Sequence, residues 1–272
     1  MTATRTSLRA PAVAGLFYPR SADTLSRTVA ELLRAGEEPQ LADACGIVAP
    51  HAGYPYSGGV AGRAFAAVRG RKARIGRALI LGPAHFVAFR GLAAPSCDAF
   101  ATPLGAMPVD RAAVAALAKE GLVAIDDEPH APEHAIEVEL PFLQALFDDL
   151  PIVPILVGTA AAEAVAAVVA RLWSADTLLI VSSDLSHYED YERAQSHDGR
   201  TAAAIESLCA ESIGPADACG HLAVRGALIE ARRRRLCVAR LDLRNSGDTA
   251  GDRRSVVGYG AWAFLAPTAG AG

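Results

Sequence analysis

Three apolar runs in the chain each break off at a turn and deliver a histidine just beyond it. Gly46-Ile47-Val48-Ala49 stops at Pro50-His51, Arg77-Ala78-Leu79-Ile80-Leu81 enters Gly82-Pro83-Ala84-His85, and Thr177-Leu178-Leu179-Ile180-Val181 enters Ser182-Ser183-Asp184-Leu185-Ser186-His187. Imidazole is the commonest neutral metal ligand and also the usual general acid or base near neutral pH, so these residues could hold a cation, move a proton, or divide the two tasks. One histidine on such a turn is more readily explained by ordinary hydrogen bonding than by ligation. Three at matching positions argue for a shared site, because neighbouring strands of an open α/β sheet would bring them to one edge, where such sheets bind ligands.

Other residues could join that chemistry. Asp184 shares a turn with His187 and could orient a ring or accept a proton, although Ser182, Ser183 and Asp184 could equally cap a following helix. Glu133 and His134 follow Pro132, where helix capping competes with support of the site or contact with a substrate. Cys219 is singled out from the other four cysteines because Gly220 and His221 follow it and a helix begins there. A thiol at a helix N-terminus is biased towards thiolate, the form that binds metal, while a structural role stays open for it. Tyr54 and Tyr56 could line a pocket or pack on the next helix. The remaining cysteines read as free, packed thiols of a reducing compartment, since the total of five is odd and no C-x-x-C occurs.

The elements that must carry these residues are legible from periodicity and caps. Ser21 or Asp23 starts a helix with Leu25, Val29, Leu32 and Leu33 at helical spacing, and Asp110 caps another over 111–120. Further helices are predicted at 59–68, 161–173, 198–209 and 222–234, and one entering at Pro132 that Pro141 kinks or divides. Strands are predicted at 77–81, 122–125, 152–157, 177–182, 236–243 and 255–264, with an extended segment at 10–19 and a loose small-residue tail. Strands alternate with helices and no linker or repeat divides the chain. This pattern gives one α/β domain over residues 1–272, with a central, mostly parallel sheet flanked by helices and an antiparallel edge.

Composition narrows the function classes. With 51% hydrophobic and 21% charged residues the chain should bury a sizeable core rather than stay disordered. The net charge is −4, and the one basic run, Arg232-Arg233-Arg234-Arg235, falls at a helix end where it complements the dipole. With no other basic stripe, nucleic acid is not an expected partner. No stretch approaches the roughly 20 apolar residues of a membrane helix, and no signal-like segment opens the chain, so the expected location is the cytoplasm without membrane attachment.

Val48 to Gly58, Leu81 to His85, Glu133 to Gln144, Ser182 to Tyr188 and Cys219-Gly220, with the opening Ala12 to Pro19, resemble the Memo family, whose bacterial and archaeal members are called AmmeMemoRadiSam system protein B. The resemblance runs from about residue 10 to about residue 265. It implies a fold similar to the class III extradiol ring-cleaving dioxygenases, in which two histidines and a glutamate hold ferrous iron, with a cysteine replacing the glutamate. Carried over residue by residue, it implies His51, His85 and Cys219 as metal ligands and His187 and Asp184 as the acid/base and orienting pair. On their own pattern, Tyr54, Glu133 and His134 stay the candidates for contact with a substrate. Phe86 stands where many relatives have a second histidine, and Ala84 where serine is frequent.

The expected cofactor is a divalent metal, Fe(II) first, with copper or zinc as alternatives because a thiolate is a softer donor than a carboxylate. The leading functional expectation is a metal-binding protein with redox or dioxygenase-like activity. A zinc-type hydrolase that activates water is the second. A non-enzymatic protein that binds copper, iron or a peptide is the third, and the family association implies radical-SAM and AMMECR-type proteins as partners.

Overall fold

A computed structural model describes residues 6–36, 41 and 43–266, so the tail expected to be loose lies outside the described residues from position 267 onwards. The first half of the chain forms β1 (Leu8–Arg9), α1 (Ala22–Ala35), β2 (Ala44–Ala49), α2 (Tyr54–Ala67), β3 (Arg77–Pro83), β4 (Leu92–Ala94), β5 (Ala99–Thr102), β6 (Gly105–Pro108), α3 (Arg111–Lys119) and β7 (Ala124–Ile125). The second half forms α4 (Leu140–Leu146), β8 (Ile152–Val157), α5 (Ala162–Leu172), β9 (Thr177–Ser182), β10 (His187–Glu189), α6 (Tyr191–Glu206), α7 (His221–Arg233), β11 (Cys237–Asn245) and β12 (Val256–Leu265).

Local chemistry sets several boundaries. Ser21 accepts the Thr24 N–H at the start of α1, whose buried stripe is Leu25, Val29 and Leu33. Asp110 accepts the Ala113 N–H at the start of α3. Helix α2 begins at Tyr54, earlier than the expected Gly59, because Pro55 in its first turn loses only an N–H that would be unpaired there anyway. No helix enters at Pro132. A 3₁₀ turn occupies Glu137–Glu139, and Pro141 opens α4 instead of kinking a longer helix. Cys237, expected to pack in the core, is exposed at the start of β11.

The strands β2, β9, β3 and β8 lie side by side and parallel, with Val48, Val181, Leu81 and Ile155 in one row. Their residues are almost all buried, as continuous apolar runs in a covered parallel sheet should be. The flanks are antiparallel: β12 pairs with β2, β11 and β10 pair with β12, and β4 runs against β8 with β7 beyond it. The nine-stranded sheet is therefore mixed and not mostly parallel, and β1, β5 and β6 make a separate three-stranded sheet. Helices α1, α2 and α4 pack together, as do α5 and α7. Because β2, β9 and β3 are parallel neighbours, the loops that follow them leave from one edge. No helix among the described residues is long and apolar enough to cross a membrane.

Candidate metal centre

At that edge His51 and His85 meet a third imidazole, His134, which arrives from the 130–137 segment. One ring nitrogen from each of the three lies within 4.8 Å of the others. The His51 ring centre is 5.2 Å from His85 and 5.4 Å from His134, and His85 stacks on His134 at 4.8 Å. Among the described residues this is the group placed to share a cation.

Each ring is set by its partners. The Nδ1–H of His85 donates to Glu133 Oε1 at 2.9 Å and its backbone N–H donates to Oε2 at 2.5 Å. Glu133 also accepts the N–H groups of His134 and Ala135, so one buried carboxylate fixes the His85 turn to the 133–135 segment. Burial alone would raise the Glu133 pKa, but the His85 side chain and the backbone donors of His85 and Ala135 hold it down at about 2. His51 is buried, and its Nδ1 lies 2.7 Å from the Ser182 hydroxyl, while Asp184 accepts its backbone N–H at 2.9 Å. Burial and the charge of His85 lower the His51 pKa to about 3, and burial followed by the charge of His51 lowers that of His134 to about 4. Both rings are neutral at physiological pH, the form that ligates metal. His134 packs against Phe17 and the exposed Phe86, and its buried Nδ1 stands 3.2 Å from Glu133 Oε1 without hydrogen-bond geometry.

Cys219 stands beside His51, with Sγ 3.4 Å from Nε2 and accepting the Asp184 N–H at 3.3 Å. Gly220 makes this approach feasible, since a Cβ there would lie 2.8 Å from the Ser182 carbonyl and the Ser183 side chain. The expected thiolate bias is overturned. Burial and the charge of Asp184 push the Cys219 pKa up to about 12, outweighing the start of α7, so without a cation the sulfur is a thiol.

The remaining candidates are distributed around this core. His187 is exposed at the start of β10, where its Nδ1–H donates to the Leu185 carbonyl, and it lies outside the three-ring cluster. Asp184 is buried, which raises its pKa against the opposing charge of His187, and its hydrogen bond to the His51 N–H holds the His51 turn. None of Ser182, Ser183 and Asp184 caps α6, a task taken by Asp190. Tyr54 is buried between Tyr18 and Phe142 with its hydroxyl donating to the Val138 carbonyl. Tyr56 is exposed. Beside Cys219 a cavity of about 330 Å³ is walled by Pro83, Val87, Phe89, Val157 and Leu222.

Sequence reasoning passed over Ser182 as the partner of His51 and over Glu139, which is fully buried behind it. The alternation Ile136-Glu137-Val138-Glu139-Leu140 hid Glu139, because alternate apolar residues ordinarily turn the acids between them to solvent, whereas the 3₁₀ turn here buries both.

A family profile described as Memo-like protein matches residues 9–263. A MEMO1 family protein of Methanosarcina barkeri is 35% identical over 268 residues, covering 93% of this chain and 98% of the relative. Those of Nitrosopumilus maritimus and Thermotoga maritima are 31% and 36% identical, covering 95% and 92% of this chain and 100% and 97% of the relatives. A crystal structure of an uncharacterised protein from Escherichia coli K12 is similar in fold, with a TM-score of 0.53 and 13% identity over 80% of this chain and 98% of that one.

Proposed function

The chain belongs to the Memo-like protein family, and from that premise and the histidine cluster we propose that it binds a divalent metal ion through His51 and His85, completed by Cys219 or His134. The observation that carries the reading is the set of three imidazole nitrogens within 4.8 Å of one another, two of the rings being kept neutral by burial. The donor set fits such an ion: Glu133 fixes the His85 ring as a carboxylate partner fixes a ligating histidine, and the same Oε1 stands 3.2 Å from Nδ1 of His134.

Fe(II) is the first candidate, following the dioxygenase-like site that the family resemblance implies, and it would supply a centre able to activate oxygen for an oxidoreductase reaction. Around it the chain's own residues have separate tasks. Phe17 and Phe86 cover His134, and the apolar walls beside Cys219 favour a largely uncharged substrate portion. Exposed His187 has its Nδ1–H committed to Leu185, which leaves Nε2 to exchange a proton with substrate or solvent. A second reading, a zinc site that activates water, is favoured by His134, because three histidines with one open position suit hydrolytic zinc.

The test is elemental analysis after anaerobic purification of the wild type beside His51→Ala, Cys219→Ala and His134→Ala. One iron per chain, lost in His51→Ala and in one of the other two, supports the reading and identifies the third ligand. Zinc retained through Cys219→Ala and lost in His134→Ala turns it to the hydrolytic form. A folded wild type that takes up neither ion on direct addition overturns it.

A further inference from the structure

The Ser182 hydroxyl has three close neighbours, all enclosed by protein: the Ala135 carbonyl at 2.6 Å, His51 Nδ1 at 2.7 Å and Glu139 Oε1 at 2.9 Å. A hydroxyl carries one hydrogen and two lone pairs. A backbone carbonyl can only accept, so the Ser182 hydrogen belongs to Ala135. The other two neighbours must then donate. His51 therefore carries its proton on Nδ1, and Glu139 carries a proton on the oxygen facing Ser182.

The surroundings of Glu139 agree with that count. The residue is fully buried, and its second oxygen has no hydrogen-bond partner, which a neutral carbonyl oxygen tolerates far better than half of an ionised carboxylate does. The geometry points to Glu139 as a positioning residue, a neutral carboxylic acid whose O–H holds the Ser182 lone pair in place so that His51 donates through Nδ1 and turns its Nε2 lone pair to the site. This rests on the metal-binding reading only in assigning that lone pair to a cation. In the metal-free protein the same lone pair receives the Cys219 S–H across 3.4 Å.

The competing arrangement is an ionised Glu139 acting through Ser182 as a distant counter-charge for the cation. The two differ in Glu139→Gln, whose amide can still donate to Ser182 but can never carry charge. The experiment compares wild type, Glu139→Gln and Ser182→Ala by ¹⁵N NMR of the histidine rings and by infrared spectroscopy of ¹³C-glutamate-labelled, metal-free protein at neutral pH. Zn²⁺ and Co²⁺ titrations of the same proteins follow.

The expected result is a protonated-carboxyl band in wild type that disappears in Glu139→Gln, an unchanged Nδ1–H tautomer in that variant, and metal affinity within about threefold of wild type. In Ser182→Ala, His51 loses its fixed tautomer and affinity falls by about 10–100-fold, the usual effect of removing a ligand's supporting partner. Absence of the band in wild type, an Nε2–H tautomer, or an affinity loss of about 10-fold or more in a folded Glu139→Gln overturns the assignment. Should Glu139→Gln fail to fold, the wild-type band and tautomer still decide. If wild type binds neither cation, the metal reading falls, while the two spectroscopic measurements still judge Glu139.

Discussion

Glu133 accepts four N–H groups from three residues, so its charge is worth more to the His85 turn than any single contact. Glu133→Gln should cost about 1–3 kcal/mol of stability at pH 7, since it weakens acceptors that buried donors depend on. The sign with pH follows from its folded pKa of about 2, below the ordinary 4.5. A depressed carboxylate pKa contributes stability that is full above the ordinary value and is lost as pH falls from there through the folded value. Urea midpoints of wild type and Glu133→Gln should therefore separate at pH 7 and close up between about 4.5 and about 2; a gap that stays constant would show that the charge is not its source. Cys219 is the second residue-scale case. With its pKa near 12 and its sulfur set against His51 and Asp184, it should alkylate far more slowly at neutral pH than the exposed Cys237. Peptide mapping after timed iodoacetamide treatment of the metal-free protein measures the order. Equal rates would mean that Cys219 is a thiolate after all.

The elements divide into those that declare themselves locally and those that do not. Strands β8 and β9 and helices α1 and α3 follow directly from apolar runs and from the Ser21 and Asp110 caps, and the strand-end positions of His51 and His85 follow with them. Strands β4, β5 and β6 were hidden in the irregular stretch because they are short and proline-flanked and take their order from tertiary pairing. His134 as the third ring was equally hidden, since its place is fixed by Glu133 and Phe17, which are distant from His51 in sequence. One tie between elements carries its own prediction. His197 on α6 places Nδ1 3.0 Å from Glu189 on β10 and Nε2 2.7 Å from Asp217, in the turn that leads to Cys219. Both ring nitrogens face carboxylates, with Asp198, Arg193 near Glu189 and Arg200 near Asp217 as further charges at hand. Burial would lower the His197 pKa, but the two acids raise it above 6.5. A raised pKa contributes stability that is full below 6.5 and disappears as pH climbs through the folded value. The unfolding midpoint of wild type should thus fall as pH rises above 6.5 through that value and that of His197→Gln should not; parallel pH profiles would remove the tie.

For the molecule as a whole, the site depends on chain segments that meet beneath it. Buried Glu137 pairs with Arg9, accepts the N–H groups of Ala12 and Val13, and takes the Tyr18 hydroxyl. Arg9 also donates to the carbonyls of His130 and Glu133, and the Phe17 carbonyl accepts the Tyr54 N–H at the head of α2. The opening segment is therefore bound both to the segment carrying Glu133 and His134 and to the helix that follows His51. Removing one partner of a buried ion pair leaves the other charge uncompensated, so Glu137→Ala should cost about 3–5 kcal/mol. Replacing an isolated buried pair by apolar residues often restores stability. Arg9→Met with Glu137→Leu should not do so here, because Ala12, Val13 and Tyr18 would keep donors with no acceptor. Denaturant unfolding of both proteins, read beside Zn²⁺ affinity, separates the possibilities. Loss of stability and affinity together, in the double variant as in the single, marks the opening segment as part of the site's foundation. A double variant that recovers wild-type stability would reduce Glu137 to a counter-ion for Arg9, and the backbone donors around it would then have to find partners in water.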